Sequence, residues 1–315
     1  MANGNGKTIL TNSAISTFKA CPRKYYWRYI REIEALERPE ALLLGTAIHG
    51  FLESHYRQLP FDPPTDLAPK SQAILKGVRE YYPILYMDDF DLFEPVAVER
   101  VISGEILNPE TGRPAREYAY GGKVDGLVML KKDVECFKEG DLLLLEHKTT
   151  SRIGEDYFER LQLDSQLLLY SLYLSRELGS PIAGALFNVI LKPSLRQKKS
   201  ESEAEYHQRL RLEMDWSEQY RRRYLRFPDQ KLMEIQKELW DAKNVIAKAR
   251  QEGVFTMNSS ACFDYHRKCD YWSLCSSEDP EQVIRESGQF QHQEAHVELI
   301  GAVEGKLAAS AGEPF

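Results

Sequence analysis

The sequence predicts an α/β fold: a mixed sheet flanked by helices on one core. Three observations predict it. Helical apolar spacing fills residues 13–87, strand patterns occupy 95–147, and helix, strand and helix return from 157 to 252. A length of 315 residues suits two domains, or one domain with insertions. A composition of 43% hydrophobic and 28% charged residues can bury a real core, so the chain need not be disordered.

Each element follows from local chemistry. Residues 13–32 read as helix, with Ser13 or Ser16 as the cap and Pro22 breaking or restarting it. Residues 40–59 place Leu44, Ile48, Leu52 and Tyr56 near one helix face. Four prolines make 60–69 a turn-rich linker, and 71–87 returns to helix. Residues 95–107 and 116–130 alternate apolar and polar positions around a Pro-Glu-Thr-Gly turn at 109–112. Residues 141–147 form a short apolar run ending in charge, the pattern of a buried central strand. Helix is expected at 157–178, a strand at 182–192 ending before Pro193, and long charged helices over 205–252.

The net charge of −7 is unevenly spread. Residues 276–315 hold eight acids against two bases, so the remaining chain is nearly neutral and local patches decide its partners. The segment from 288 onward, glycine-containing and without apolar period, is expected to be a flexible acidic tail. No apolar run approaches the ~18 residues of a membrane span, so no membrane partner is expected. The start, MANGNGKTIL, lacks the apolar region of a secretory signal. Five cysteines, an odd and sparse set, suit a reducing cytoplasm.

The most informative segment is Gly121-Gly122-Lys123-Val124-Asp125-Gly126, followed by Leu142-Leu143-Leu144-Leu145-Glu146-His147-Lys148. An acid ends one strand. Glu146 and Lys148 stand at i and i+2 on the next, and therefore point to one face. Two carboxylates on adjacent strands can hold a hard divalent cation. A lysine beside them can orient an attacking water and stabilise charge at a phosphate. Glu-x-Lys alone is more often an ordinary cross-strand pair. Gly45, His49 and Glu53 share a helix face at i, i+4 spacing, and so do Gln166 and Tyr170 one helix after the Glu-x-Lys strand.

Taken in order, Gly45-x-x-x-His49, Gly121-Gly122-x-Val124-Asp125, Glu146-x-Lys148 and Gln166-x-x-x-Tyr170 resemble the RecB-type branch of the PD-(D/E)XK nucleases. The likeness runs over about residues 13–275. It implies a restriction-endonuclease-like core and a metal-dependent nuclease. His49, Asp125, Glu146 and the backbone carbonyl of His147 would ligate Mg²⁺ or Mn²⁺. Lys148 would be catalytic, with Asp125 and Glu146. Gln166 and Tyr170 would contact DNA or brace the site. Glu53 is a weaker candidate. The chemistry would be in-line attack of a metal-activated water on a phosphodiester.

Cys262-x₆-Cys269-x₅-Cys275 forms a C-terminal group, and Cys21 lies far upstream. Four thiolates suit zinc or an iron–sulfur cluster. The spacing is not the paired Cys-x₂₋₄-Cys of a zinc finger. One upstream cysteine with three C-terminal ones is similar to the iron–sulfur nucleases of CRISPR adaptation (Cas-four-like) and of AddB-type recombination. That resemblance implies a 4Fe–4S cluster in a small helical subdomain joining the chain ends. The sequence departs from the usual Cys-x₂-Cys-x₅-Cys: His266 stands three before Cys269, where it could compete as a ligand. Cys136 fits no pattern and is expected to be a lone structural thiol.

Residues 19–31 interleave Arg23, Lys24 and other bases with Tyr25 and neighbouring rings, a pattern for single-stranded nucleic acid. The same rings could equally be core. Arg221, Arg222, Arg223 and Arg226 form a second basic patch that could hold nucleic acid, though a solvated helix face is the readier reading. The expected organisation is an N-terminal helical segment over 1–60, a nuclease core over 61–200, a helical region with the cysteine group over 201–287, and the tail over 288–315. The expected activity is a DNA exonuclease on single-stranded ends, with 5′→3′ polarity implied by the resemblance. It would serve end processing, recombination, repair, phage replication or CRISPR adaptation, beside a helicase, recombinase or integrase. The rival is a DNA-binding iron–sulfur module with a vestigial or partner-dependent site.

Overall fold

The structure, a computed structural model, describes residues 7–193, 195–213, 216–264, 267–296 and 299. The chain opens with β1 (Thr8–Leu10) and α1 (Asn12–Ala20). The cap of α1 is Thr11, not Ser13 or Ser16: its hydroxyl accepts from the Ala14 N–H at 3.1 Å. Pro22 restarts the helix as α2 (Pro22–Tyr25), where its missing N–H costs nothing, and a π turn follows to Ile30. Next come β2 (Ile33–Ala35), α3 (Glu40–Tyr56), α4 (Pro69–Leu85) and α5 (Asp89–Leu92). Two long strands follow, β3 (Phe93–Leu107) and β4 (Pro114–Leu130), then β5 (Leu142–Thr150). The helix expected over 157–178 is interrupted. It forms as α6 (Tyr157–Arg160) and α7 (Ser165–Leu178), because Asp164 caps a new start by accepting from the N–H groups of Gln166 and Leu167. The remaining elements are β6 (Gly184–Leu191), α8 (Glu203–Leu212), β7 (Tyr220–Arg226), α9 (Asp229–Glu252), β8 (Phe263–Asp264), β9 (Arg267–Lys268), α10 (Trp272–Ser276), α11 (Pro280–Glu286) and β10 (Phe290–His292). The whole is a mixed α/β protein with a mixed central sheet flanked by helices, as the sequence predicts.

The chain forms two compact units, neither a contiguous stretch. One comprises residues 39–100 and 123–229, the other 1–38, 101–122 and 230–315. In the first, β4 pairs antiparallel with β5, β5 parallel with β6, and β6 antiparallel with β7. Leu143 and Leu145 on β5, with Leu186 and Ile190 on β6, share a core with α3, α4 and α8. The alternate residues of β5 face the other way, toward α7. Burial on both faces explains the unbroken Leu142–Leu145 run. β7 replaces part of the helix expected over 205–252. Tyr220, Arg222 and Tyr224 alternate with Arg221, Arg223 and Leu225, and the open edge of β6 takes up their backbone groups.

In the other unit, β1 lies parallel to the first half of β4, with Thr8 opposite Tyr118. Trp27, Ile33, Tyr271, Leu274 and Phe290 make a second core. The tail expected to be flexible from 288 is ordered at its start. β10 pairs antiparallel with β2, the Gln293 N–H reaches the Glu32 carbonyl at 2.8 Å, and the His296 ring stacks on Tyr29. Residues 297, 298 and 300–315 lie outside the described residues. Cys136 is exposed. No described helix is long and apolar enough to cross a membrane.

Candidate active site

Three elements of the 39–100/123–229 unit converge on one carboxylate. Asp125 sits near the middle of β4, its Oδ2 accepting the His147 backbone N–H at 2.8 Å and its Oδ1 lying 3.3 Å from His49 Nδ1. His49 comes from α3, one turn after Gly45. A Cβ at Gly45 would meet the Thr149 hydroxyl of β5 at 3.3 Å, so the glycine lets the helix approach the strand that carries Glu146 and Lys148. Gly126 serves likewise: a side chain there would press on Leu145 and on the Ala97 carbonyl.

Glu146 and Lys148 alternate with His147 along β5. Glu146 is buried and Lys148 exposed. Gln166, on the first turn of α7, donates from Nε2 to Glu146 Oε1 at 2.9 Å. The other oxygen, Oε2, is buried with no hydrogen-bond partner. Tyr170 is buried one turn further along α7, and burial raises its hydroxyl well above the ordinary phenol range, offset in part by the nearby Lys123 backbone and Gln166 side chain.

The electrostatics follow from this crowding. Burial, and next the charge of Asp125, push Glu146 well above the usual carboxylate range. Burial would raise Asp125 too, but the hydrogen bond and charge of His49, with His147 beyond, hold it below its ordinary value. Burial would lower His49, yet its hydrogen bond to Asp125 raises it. An orphaned, buried carboxylate oxygen next to a second carboxylate is the arrangement that a divalent cation satisfies.

His49, Asp125 and Glu99 offer ligand atoms within 4.8 Å of one another, the only such group among the described residues. Sequence reasoning missed Glu99. It lies inside β3 in no motif. The local feature that sets it apart is a left-handed backbone, φ 52°, unusual for a residue with a Cβ. Its carboxylate pairs with Lys123. Glu53, the weaker candidate, pairs with Arg57 at 3.0 Å.

The bases at 19–31 resolve differently. Tyr25 is 1% exposed, its ring packed against Phe18, Tyr29 and Phe255, so it is core and closed to a stacking base. Arg23 is half-buried and gives its Nε to the Phe255 carbonyl at 2.9 Å. Lys24 is half-buried. Arg222 is no solvated helix residue. It makes a bidentate pair with buried Asp89 at 2.5 and 2.9 Å.

The cysteines lie in the other unit. Cys21 ends α1, Cys275 lies in α10, and the Cys269 N–H donates to the Cys262 carbonyl at 2.9 Å. The Cys275 thiol feels both Cys269 and Cys21, and the Cys269 thiol feels Cys262; burial raises both thiols. The four do not close into a ligand group like that around Asp125. His266 lies outside the described residues.

Residues 9–276 match the family model of the PD-(D/E)XK nuclease superfamily. No curated protein matches the chain. Among solved structures it is similar to a "Putative exonuclease" from Eubacterium rectale, at TM-score 0.45 and 11% identity over 84% of this chain and 88% of that one. It is also similar to SSO0001, at TM-score 0.31 and 10% identity over 73% and 74%.

Proposed function

The chain belongs to the PD-(D/E)XK nuclease superfamily, whose members use divalent metals, and on that footing we propose that it is an Mg²⁺- or Mn²⁺-dependent deoxyribonuclease. The observation that carries this reading is the Glu146 carboxylate, buried beside Asp125 with one oxygen unpartnered. His49, Asp125, Glu146 and the backbone carbonyl of His147 would hold the ion. A bound divalent ion supplies Lewis-acid charge at the phosphate and an acidified water. Lys148, on the strand face of Glu146, orients the attacking water and stabilises negative charge on the phosphate. Gln166 holds one oxygen of Glu146 in place, and Tyr170, buried one turn along α7, braces that end of the helix.

Within this reading the enzyme is an exonuclease on single-stranded ends with 5′→3′ preference, acting in the cytoplasm on DNA ends beside a helicase, recombinase or integrase. The polarity and strand preference rest on the motif resemblance. A 4Fe–4S cluster on Cys21, Cys262, Cys269 and Cys275 completes it. What supports the cluster is that one unit contains all four thiols, with Cys275 in electrostatic reach of Cys21 and Cys269.

The test is cleavage of single-stranded DNA labelled at either end, by anaerobically purified protein with Mn²⁺ or Mg²⁺. Lys148→Ala should cut slower by about 10³-fold, the scale of one lost charge stabiliser, and the label released first reports polarity. Absence of cleavage in the unaltered protein with both ions, on single- and double-stranded DNA, would overturn the reading in favour of a binding module.

A further inference from the structure

We propose that Lys123 is a resident counter-cation of the metal centre, which the incoming ion must displace from Glu99, and that Glu99 then joins the ion's ligands. The inference rests on the proposed metal site. Its geometry is specific. Glu99 lies within 4.8 Å of the ligand atoms of His49 and Asp125, yet its carboxylate is engaged by the Lys123 ammonium. Lys123 and Asp125 stand two apart on β4 and share a face. The lysine side chain is 46% exposed while Glu99 is only 12% exposed. The cation can therefore swing to water, whereas the anion cannot.

A separate observation stands next to this group, outside its 4.8 Å: Glu146, 4% exposed and one position beyond the Gly126–Leu145 pairing of β4 and β5, leaves Oε2 unpartnered. Lys123 leaves that oxygen without a partner and occupies the third carboxylate. With Lys123 in place, the Glu99–Lys123 pair is neutral and adds little attraction for a second cation. With Lys123 turned outward, Glu99 contributes a full negative charge next to Asp125. Glu53 also exerts its charge on Lys123 and gives the released ammonium an anionic neighbour. Lys123 thus sets how tightly the ion is held.

The experiment is Mn²⁺ titration by calorimetry, with free Mn²⁺ followed by electron paramagnetic resonance, on DNA-free protein whose fold is checked by thermal melting. Unaltered protein should bind Mn²⁺ and Asp125→Asn should lose that binding. Failure of either overturns the metal site and this inference with it. Lys123→Met should then bind at least about tenfold tighter, the scale of one unit charge ~5 Å from a divalent ion with the screening of bulk water. Glu99→Gln should bind more weakly. The double variant Lys123→Met/Glu99→Gln keeps the net charge of the pair and is decisive. Binding weaker than in the unaltered protein supports Glu99 as a ligand, and equal binding overturns that role. Lys123→Met binding no tighter, with the Asp125 dependence intact, overturns the competition alone. Lys123→Gln replaces Lys123→Met should the latter melt early.

Discussion

His147 separates Glu146 and Lys148, the two residues proposed to carry the chemistry, and faces away from them. Its N–H holds Asp125, while its ring lies against Tyr56 at 5.5 Å and its Nδ1 is 3.3 Å from Asn188 Nδ2. Asn188 Oδ1 already accepts from Arg222 Nε at 2.7 Å, so its amide nitrogen faces the imidazole and Nδ1 must be the acceptor. The ring is therefore neutral, and burial drives its pKa from 6.5 down to about 3. In the unfolded chain it titrates at its ordinary value. Below that pH the unfolded state takes up a proton that the folded state refuses. Stability from this group is full above about 6.5 and falls with pH toward 3, by up to about 1.4 kcal/mol per unit. Urea unfolding of ion-free protein and His147→Gln across pH 4–7 should show a steeper loss in the unaltered protein; parallel curves would refute the assignment. The motif Glu146-x-Lys148 was legible because strand alternation fixes facing. The partners of the residue between them were not, since they arrive from α3, β6 and β7.

At the scale of elements, β6 is held on both edges, and Gly184 marks how closely. Leu143 and Arg226 are its partners on β5 and β7. A Cβ at Gly184 would stand 2.1 Å from the Leu225 carbonyl and 2.7 Å from Phe137 Cζ. Neither a backbone oxygen nor a buried ring can withdraw without parting the strands. Gly184→Ala should lower stability by about 2–3 kcal/mol, read as a shifted urea midpoint at unchanged slope. The strand at 184–191 was readable from its apolar run, but β7 was not. Four arginines in seven residues read as a solvated helix face, and only the carboxylate of Asp89 and the free edge of β6 make a strand the cheaper state for Arg222. Asp89 is itself 2% exposed and takes a further hydrogen bond from Tyr56 at 2.8 Å. A buried charge this well partnered is stable only in company.

At the scale of the whole molecule, each candidate centre falls within a single unit: the carboxylates and Lys148 in one, the four cysteines in the other. The cysteine unit draws on both ends of the chain, since β2 pairs with β10 and the Tyr271 hydroxyl donates to the Ile33 carbonyl at 2.8 Å. A cluster there would tie together segments more than two hundred residues apart in sequence. Protein purified without oxygen should be brown and carry about four irons per chain. Cys275→Ser should lose both colour and thermal stability. A colourless protein holding zinc would refute the cluster.

Neighbours along the chain are enough to specify part of the pattern. Alternation placed Glu146 and Lys148 on one face, i, i+4 spacing placed Gln166 and Tyr170 on one helix side, and the order of segments specified a mixed sheet between helices. The family match over residues 9–276 agrees with that order. Tertiary structure decided whatever depends on a partner distant in sequence. It brought Glu99 to His49 and Asp125, made Arg222 a buried ion-pair partner, turned Tyr25 into core, and bound the start of the expected tail to β2. The physical reason is the same each time. Local propensity is worth tenths of a kcal/mol per residue, whereas pairing a buried charge, filling a strand edge or burying a ring is worth several times that.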